Sequence, residues 1–577
     1  MSASIRVWAP TPARVELVTS EGRTPMERDE RGWWSVTLDA AAGLDYTFSL
    51  DGGPARPDPR SPWQPSGVDG PSRTIDHTEF EWSDHHWHGR PLAGSVVYEL
   101  HVGTFTGAGT FEAAIERLDH LVDLGITTVE LMPVAEFSGE RGWGYDGVDL
   151  YTPHHAYGGP EGLKRLVDAC HGRGLAVVLD VVYNHLGPAG NYLREFGPYF
   201  TDKHSTPWGD AVNFDDAHSG EVRAFFVDNA LMWLRDYHFD GLRIDAVHAI
   251  VDTSATHILE QMSDAVEELE GQVGRELVLI AESDLNDPRI ITNQAAGGYG
   301  IDAQWSDDFH HALHALLTGE REGYYADFGS VGAVAKALRH AYVYAGDYSA
   351  FRRRVHGRPA AGLSGNRFLG YLQNHDQIGN RAVGERSGAL MSHDLLKVGA
   401  ALVLTSPFVP MLFMGEEWGA STPFLYFTAH ADPALGRAVS EGRRREFAAF
   451  GWRPEDVPDP QSVETFERSR LRCAEIDEQP HADLLEWHRQ LIRLRASTPA
   501  LTDGRMDLVR TRYDEDARWL VVERGEITIA ANGSSSPARI PIESRRTSEL
   551  LLHSGKIERD ADVLVLGPES VAIFRNG

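Results

Sequence analysis

The chain divides by the period of its apolar positions. Over the first ninety residues hydrophobic and polar positions alternate, as in SIRVWAP (4–10), RVELVT (14–19) and GWWSVTL (32–38), with Gly, Pro and Asp between the runs. Successive strand side chains point to opposite faces, so a period of two predicts half-buried strands and a small, Ig-like β-sandwich over residues 1–88. The polar stretch SDHHWHGRPLAG (83–94) reads as a linker. From Val96 the texture changes to short, almost continuous apolar runs: VVYELHV (96–102), TTVELMPV (127–134), AVVLDVV (176–182), FDGLRIDAV (239–247), LVLIAES (277–283), IDAQWSD (301–307), FLGYLQNHD (368–376) and PFVPMLFMG (407–415). Helical patterns such as TFEAAIERLDHLVDLG (110–125) and PEGLKRLVDACHGRG (160–174) lie between them. Eight strands alternating with helices predict an α/β fold, a (β/α)8 TIM barrel over residues 95–495. The third connection, rich in His, Gly, Pro and Asp, predicts an excursion over the barrel mouth at about 186–218. Alternation returns in RWLVVERGEITIAAN (518–532) and DVLVLGPESVAIF (562–574), which predicts a C-terminal β-domain over 500–577. The uncharged run from Val398 to Gly415 contains Pro407 and Pro410 and reads as helix, turn and strand rather than a membrane span.

Charge narrows the partners. Lys and Arg total 54 against 85 Asp and Glu, a net charge of −31. That field repels phosphate backbones and anionic lipid, so nucleic acid and membrane are excluded as partners and a neutral ligand is favoured. Cys170 and Cys473 are the two cysteines and read as buried, reduced thiols. The N-terminal MSASIRVWAP has neither the basic nor the apolar part of a secretory signal, so a cytoplasmic location is expected.

Four strand ends carry chemistry. In GLRIDAVHAI (241–250), Leu242 and Ile244 share one face while Arg243 and Asp245 share the other, which in a barrel enters the interior. VVLDVVYNH closes the third strand with Asp180, Asn184 and His185; LIAESD closes the fifth with Glu282; LQNHDQ closes the seventh with Asn374, His375 and Asp376. One carboxylate after one strand is commonly a helix cap, and an Arg–Asp pair two residues apart is commonly a structural ion pair. A metal held by His185, Asp180 and Asp376 lacks any HxxxH or HxH spacing, so no metal and no cofactor are expected. The four ends together point to an acid and a nucleophile for glycosidic-bond cleavage.

The segments DVVYNH (180–185), GLRIDAVH (241–248), AESD (281–284) and QNHDQ (373–377), in this order, resemble the four short motifs of the α-amylase family of glycoside hydrolases. The resemblance implies Asp245 as nucleophile, Glu282 as general acid/base, and Asp376 as a third catalytic carboxylate that binds sugar hydroxyls and favours a distorted ring. It implies that Arg243 orients Asp245, and that His185 and His375 bind the sugar that becomes the new reducing end. Asn184 and His248 lie in the same motifs, and Trp143, Tyr145 and Asp146 of GWGYD (142–146) are expected beside the bound sugar. Trp208, Trp305 and Trp418 are further candidates for stacking on pyranose faces. The segments DDFHHALHALLTGE (307–320), MLFMGEEWGASTPFLYFT (411–428) and EWHRQLIRLR (486–495) are similar to family members that release trehalose from the end of a maltooligosaccharide. Ala429 departs from that pattern, where an acidic residue is expected. The implied reaction is retaining hydrolysis of the α-1,4 bond beside a terminal trehalose, with maltooligosyltrehalose as the partner and a functional pairing with the synthase that makes it. A branching transferase or a general maltooligosaccharide hydrolase would use the same residues.

Overall fold

In the computed structural model, residues 2–39, 42–448, 452–542, 548–560 and 562–576 are described. Eight parallel strands close into a barrel: β1 (Val97–Leu100), β2 (Thr128–Leu131), β3 (Ala176–Val181), β4 (Gly241–Ile244), β5 (Val278–Ala281), β6 (Ala303–Trp305), β7 (Phe368–Gly370) and β8 (Val409–Phe413), with β8 pairing back onto β1. Each arises from one of the eight apolar runs. Every residue in them is buried, because a parallel barrel is covered outside by helices and filled inside by its own side chains. This explains why the runs are continuous where those of the N-terminal region alternate.

The helices Leu118–Leu124, Gly159–His171, Ser219–Asp236, Ile258–Val273, Asp307–Thr318, Val331–His340, His393–Leu404 and His481–Ser497 belong to the barrel region. Among the described residues the β5–β6 connection contains only a 3-10 turn, Gln294–Ala296. The run from Val398 to Gly415 is the end of a helix, a turn and β8. Among the described residues no helix is long and apolar enough to cross a membrane.

Two antiparallel sheets form the β-rich N-terminal region. Ser2–Trp8 pairs with Trp33–Asp39, and Val15–Thr19 lies between Gly22–Pro25 and Asp45–Leu50. The third connection of the barrel holds a short helix Leu193–Phe196 and a hairpin of Phe200–Thr206 with Gly209–Val212. It packs against the N-terminal sheets: Trp8 meets Tyr199 edge-on at 5.2 Å, and Phe48 meets Phe196 at 6.3 Å. At the other end, a five-stranded and a three-stranded sheet enclose a core that includes Trp519, Val521, Ile540 and Leu566. Arg524 of that region is buried and donates to the carbonyls of Thr405, Ser406 and Leu501, supplying partners to acceptors at the end of a barrel helix. Cys170 is buried, but Cys473 is only half-buried, a small correction to the expectation of two buried thiols.

Candidate active site

The barrel forces its interior charges together. Arg243 is the third residue of β4, and β4 lies between β3 and β5, so its side chain faces into the barrel with Asp180 in register beside it. Its exposure is 0%. Nη1 donates to Asp180 Oδ2 at 2.7 Å and to Asp245 Oδ1 at 2.9 Å, while Nη2 lies 2.7 Å from Glu282 Oε2. One guanidinium thus joins the carboxylates from the ends of β3, β4 and β5. Its flat face rests on the Trp305 ring, 4.1 Å from the centroid, which gives the cation an apolar floor without taking a hydrogen-bonding edge.

Asp245 is held from both sides, because Asn184 Nδ2 donates 2.9 Å to its other oxygen. The next residue, Ala246, takes the left-handed conformation with φ 39°, which is strained for a residue with a Cβ. That turn aims the Ala246 N–H at Glu282 Oε2, 2.8 Å away, and the Val247 N–H at the Glu282 carbonyl, 3.0 Å away. The ends of β4 and β5 are therefore locked to each other at the two residues expected to act as nucleophile and acid/base. Burial raises the Glu282 carboxyl above its ordinary range, opposed by Arg243 and reinforced by Asp245. Burial also pushes Asp180 up to about 7 despite Arg243. Three carboxylates around one cation leave excess negative charge in a site of low polarity, and proton uptake is the physical relief.

Across the mouth, β7 runs into the short helix His375–Gly379, capped by Asn374, whose side-chain oxygen accepts from the N–H groups of Asp376 and Gln377. His375 is buried. Its backbone N–H donates 3.0 Å to Glu99 of β1, and its Nδ1 pairs with the same carboxylate. Burial disfavours the charged ring, but Glu99 and Asp376 outweigh it and hold the imidazole up at about 9. Tyr145 stacks on that ring and bridges the two halves of the site, donating 2.5 Å to Asp180 while its oxygen lies 2.8 Å from His375 Nε2. Burial raises the Asp376 carboxyl, which His375 opposes. Its side chain is 35% exposed, so it remains open to a ligand.

His185 contacts the Asn184 side chain through Nδ1 and the Tyr145 carbonyl through Nε2, and burial lowers its basicity. Trp208, from the hairpin of the third connection, lies flat against the His185 ring at 4.4 Å and is half exposed. His248 is exposed on the turn after Asp245, at the rim. Asp146 is partly exposed, with one oxygen 3.9 Å from His430. The close approach of this loop to the third connection needs Gly187, where a Cβ would lie 2.1 Å from the Asp146 carbonyl oxygen.

Three of the tryptophans expected at the sugar are instead packing residues. Trp143 is buried, donates to the Leu425 carbonyl, stacks on Phe424 and touches His375 edge-on, so it buttresses His375 rather than presenting a face. Trp305 lies beneath Arg243, and Trp418 is buried with its indole N–H on Glu475. Their size made them candidates, but a large apolar ring finds its best burial in the barrel core. Conversely, Glu99 and Glu130 complete the interior, and Glu130 is so deeply buried that its carboxyl is driven well above its usual range. Both are charges inside apolar strand runs, the same signal that marked Arg243.

A family model described as the alpha-amylase catalytic domain matches residues 84–208. A malto-oligosyltrehalose trehalohydrolase from Arthrobacter ramosus is 49% identical, covering 100% of both chains, and one from Mycobacterium tuberculosis is 51% identical over 93% of each. The chain belongs to the malto-oligosyltrehalose trehalohydrolase family. A solved structure from Salmonella typhimurium, assigned as an alpha amylase, superposes with a TM-score of 0.92 at 36% identity, covering 100% of this chain and 98% of that one. For this family member the similarity thus extends beyond the barrel to both β-rich ends.

Proposed function

We propose that the chain hydrolyses the α-1,4-glucosidic bond joining a maltooligosaccharide to a terminal trehalose, with retention of configuration. The observation that carries the chemistry is the single buried guanidinium of Arg243 contacting both Asp245 and Glu282 at the barrel mouth. Glu282, made a weaker acid by burial, keeps a proton to give to the bridging oxygen as the bond breaks. Asp245, fixed by Arg243 and Asn184, attacks the anomeric carbon from the opposite face, and trehalose leaves. The Glu282 carboxylate then takes a proton from water, whose oxygen displaces Asp245 and frees the maltooligosaccharide. Asp376, His375 and His185 bind hydroxyls of the reacting sugar, and Tyr145 holds His375 in place. The choice of trehalose as leaving group is supported by the names of full-length relatives. It acts in trehalose formation downstream of a synthase that builds the substrate, in a cytoplasmic setting.

The test is chromatography of products from maltotriosyltrehalose and maltopentaose supplied in parallel. Trehalose plus maltotriose from the first, with the second nearly untouched, is the expected result. Equal cleavage of both, or longer branched glucans, would refute the specificity.

A further inference from the structure

Outside the catalytic cleft, one buried cluster has a donor set with no part in the proposed reaction. The strand Ala135–Phe137 pairs with Gly147–Pro153 below the loop that carries Trp143 and Tyr145. Glu136 of the first strand and His154 and His155, just after the second, offer one ligand atom each, all within 4.8 Å of one another. Glu136 and His154 are 0% exposed, and the His155 side chain is 25% exposed, which leaves an entry path. The His154 ring is stacked on Phe137 with centroids 3.8 Å apart, so it cannot turn freely. Its Nδ1 lies 3.2 Å from Glu136 Oε2, and its Nε2 has no hydrogen-bond partner among the described residues. A fully buried imidazole with an undirected lone pair is costly unless something accepts that pair.

We propose that Glu136, His154 and His155 form a site for a divalent transition-metal ion, Zn²⁺ by preference. Two imidazoles and a carboxylate are a borderline donor set of the kind this ion takes, with water as the fourth ligand on the exposed His155 side. Zinc–ligand bonds of ~2.0–2.1 Å set tetrahedral donors roughly 3.3 Å apart. His154 Nδ1 already has that separation from Glu136 Oε2, at 3.2 Å, while His155 Nδ1 lies 2.7 Å from the other oxygen, Oε1, so the carboxylate must turn or the His155 ring shift to bring one oxygen and both imidazoles onto the ion. The ion would join the two strands at the base of the loop bearing Tyr145, so its role is to stiffen that loop, not to enter the reaction.

The experiment is a titration of the untagged, chelator-treated protein with ZnCl₂ by calorimetry, with CoCl₂ absorption as a reporter of coordination. Wild type is expected to bind one ion per chain with a rise in Tm and a visible tetrahedral cobalt band. H155N, at the most exposed ligand, and E136Q are expected to bind at least ~10-fold more weakly, the usual scale for loss of a group from a metal site. Absence of stoichiometric binding to wild type overturns the proposal even if a variant misfolds. So does the same affinity and cobalt spectrum in a folded H155N protein.

Discussion

Replacing Glu99 with Gln tests whether charge or packing organises the β7 side of the site. The substitution keeps the size of the side chain and an oxygen that can accept from the His375 N–H, but removes the anion beside the ring. His375 is lifted from its ordinary 6.5 to about 9, with burial opposing and Glu99 the largest favourable cause. A group raised in the folded state contributes stability that is fully present below its unfolded pKa and is lost as pH rises through its folded pKa. At about 1.36 kcal/mol per pKa unit, the contribution is roughly 3 kcal/mol below pH 6.5 and on the order of 2.5 kcal/mol at pH 7. Without Glu99, burial dominates and the ring reverts to neutral, so E99Q loses that amount near neutrality and very little above about pH 10. Urea denaturation followed by tryptophan fluorescence at several values between pH 6.5 and pH 10 measures it, as the difference between parent and variant at each pH. The deficit should shrink steadily with rising pH. A deficit that stays constant across this range would refute the reasoning and make Glu99 a packing residue.

Asp245→Asn should leave the fold intact and lower turnover by at least about 1000-fold, measured as trehalose release, because the nucleophile is gone. Glu282→Gln should cost about 10²–10⁴-fold and remove the Glu282 contribution to the alkaline limb of the pH profile of kcat/KM, leaving that of His375, since the protonated acid is the active form and burial moves its limb upward. Trp305→Leu removes the floor under Arg243 and should destabilise the protein by roughly 3 kcal/mol, read by denaturation, with kcat falling as Arg243 loses its position. Trp208→Ala should leave Tm unchanged and raise KM about 2- to 12-fold, the equivalent of one aromatic contact, because this ring is half exposed above His185.

The local sequence determined the elements and the cast of the site. Period-two runs became the terminal sheets, and the eight apolar runs became the eight barrel strands, because side-chain periodicity and burial are properties of a segment and its immediate neighbours. Arg243, Asp245, Glu282, His375 and Asp376 were visible as charges in or directly after apolar strands, where isolated ionisation is too costly to be incidental. Glu99 and Glu130 carried the same signal without a visible partner. Their partners lie far away in the chain: Glu99 meets His375 across 276 residues, and only closure of β8 onto β1 brings them together. Which tryptophans face a ligand was likewise undecided locally, since an indole in a strand and one on a loop read alike. Tertiary packing placed Trp305 and Trp143 beneath the charged groups and left Trp208 at the surface. The pKa order within the site belongs to the tertiary structure for the same reason. It depends on how deeply each carboxyl is buried and how near it lies to Arg243, and both are set by the barrel rather than by neighbours in sequence.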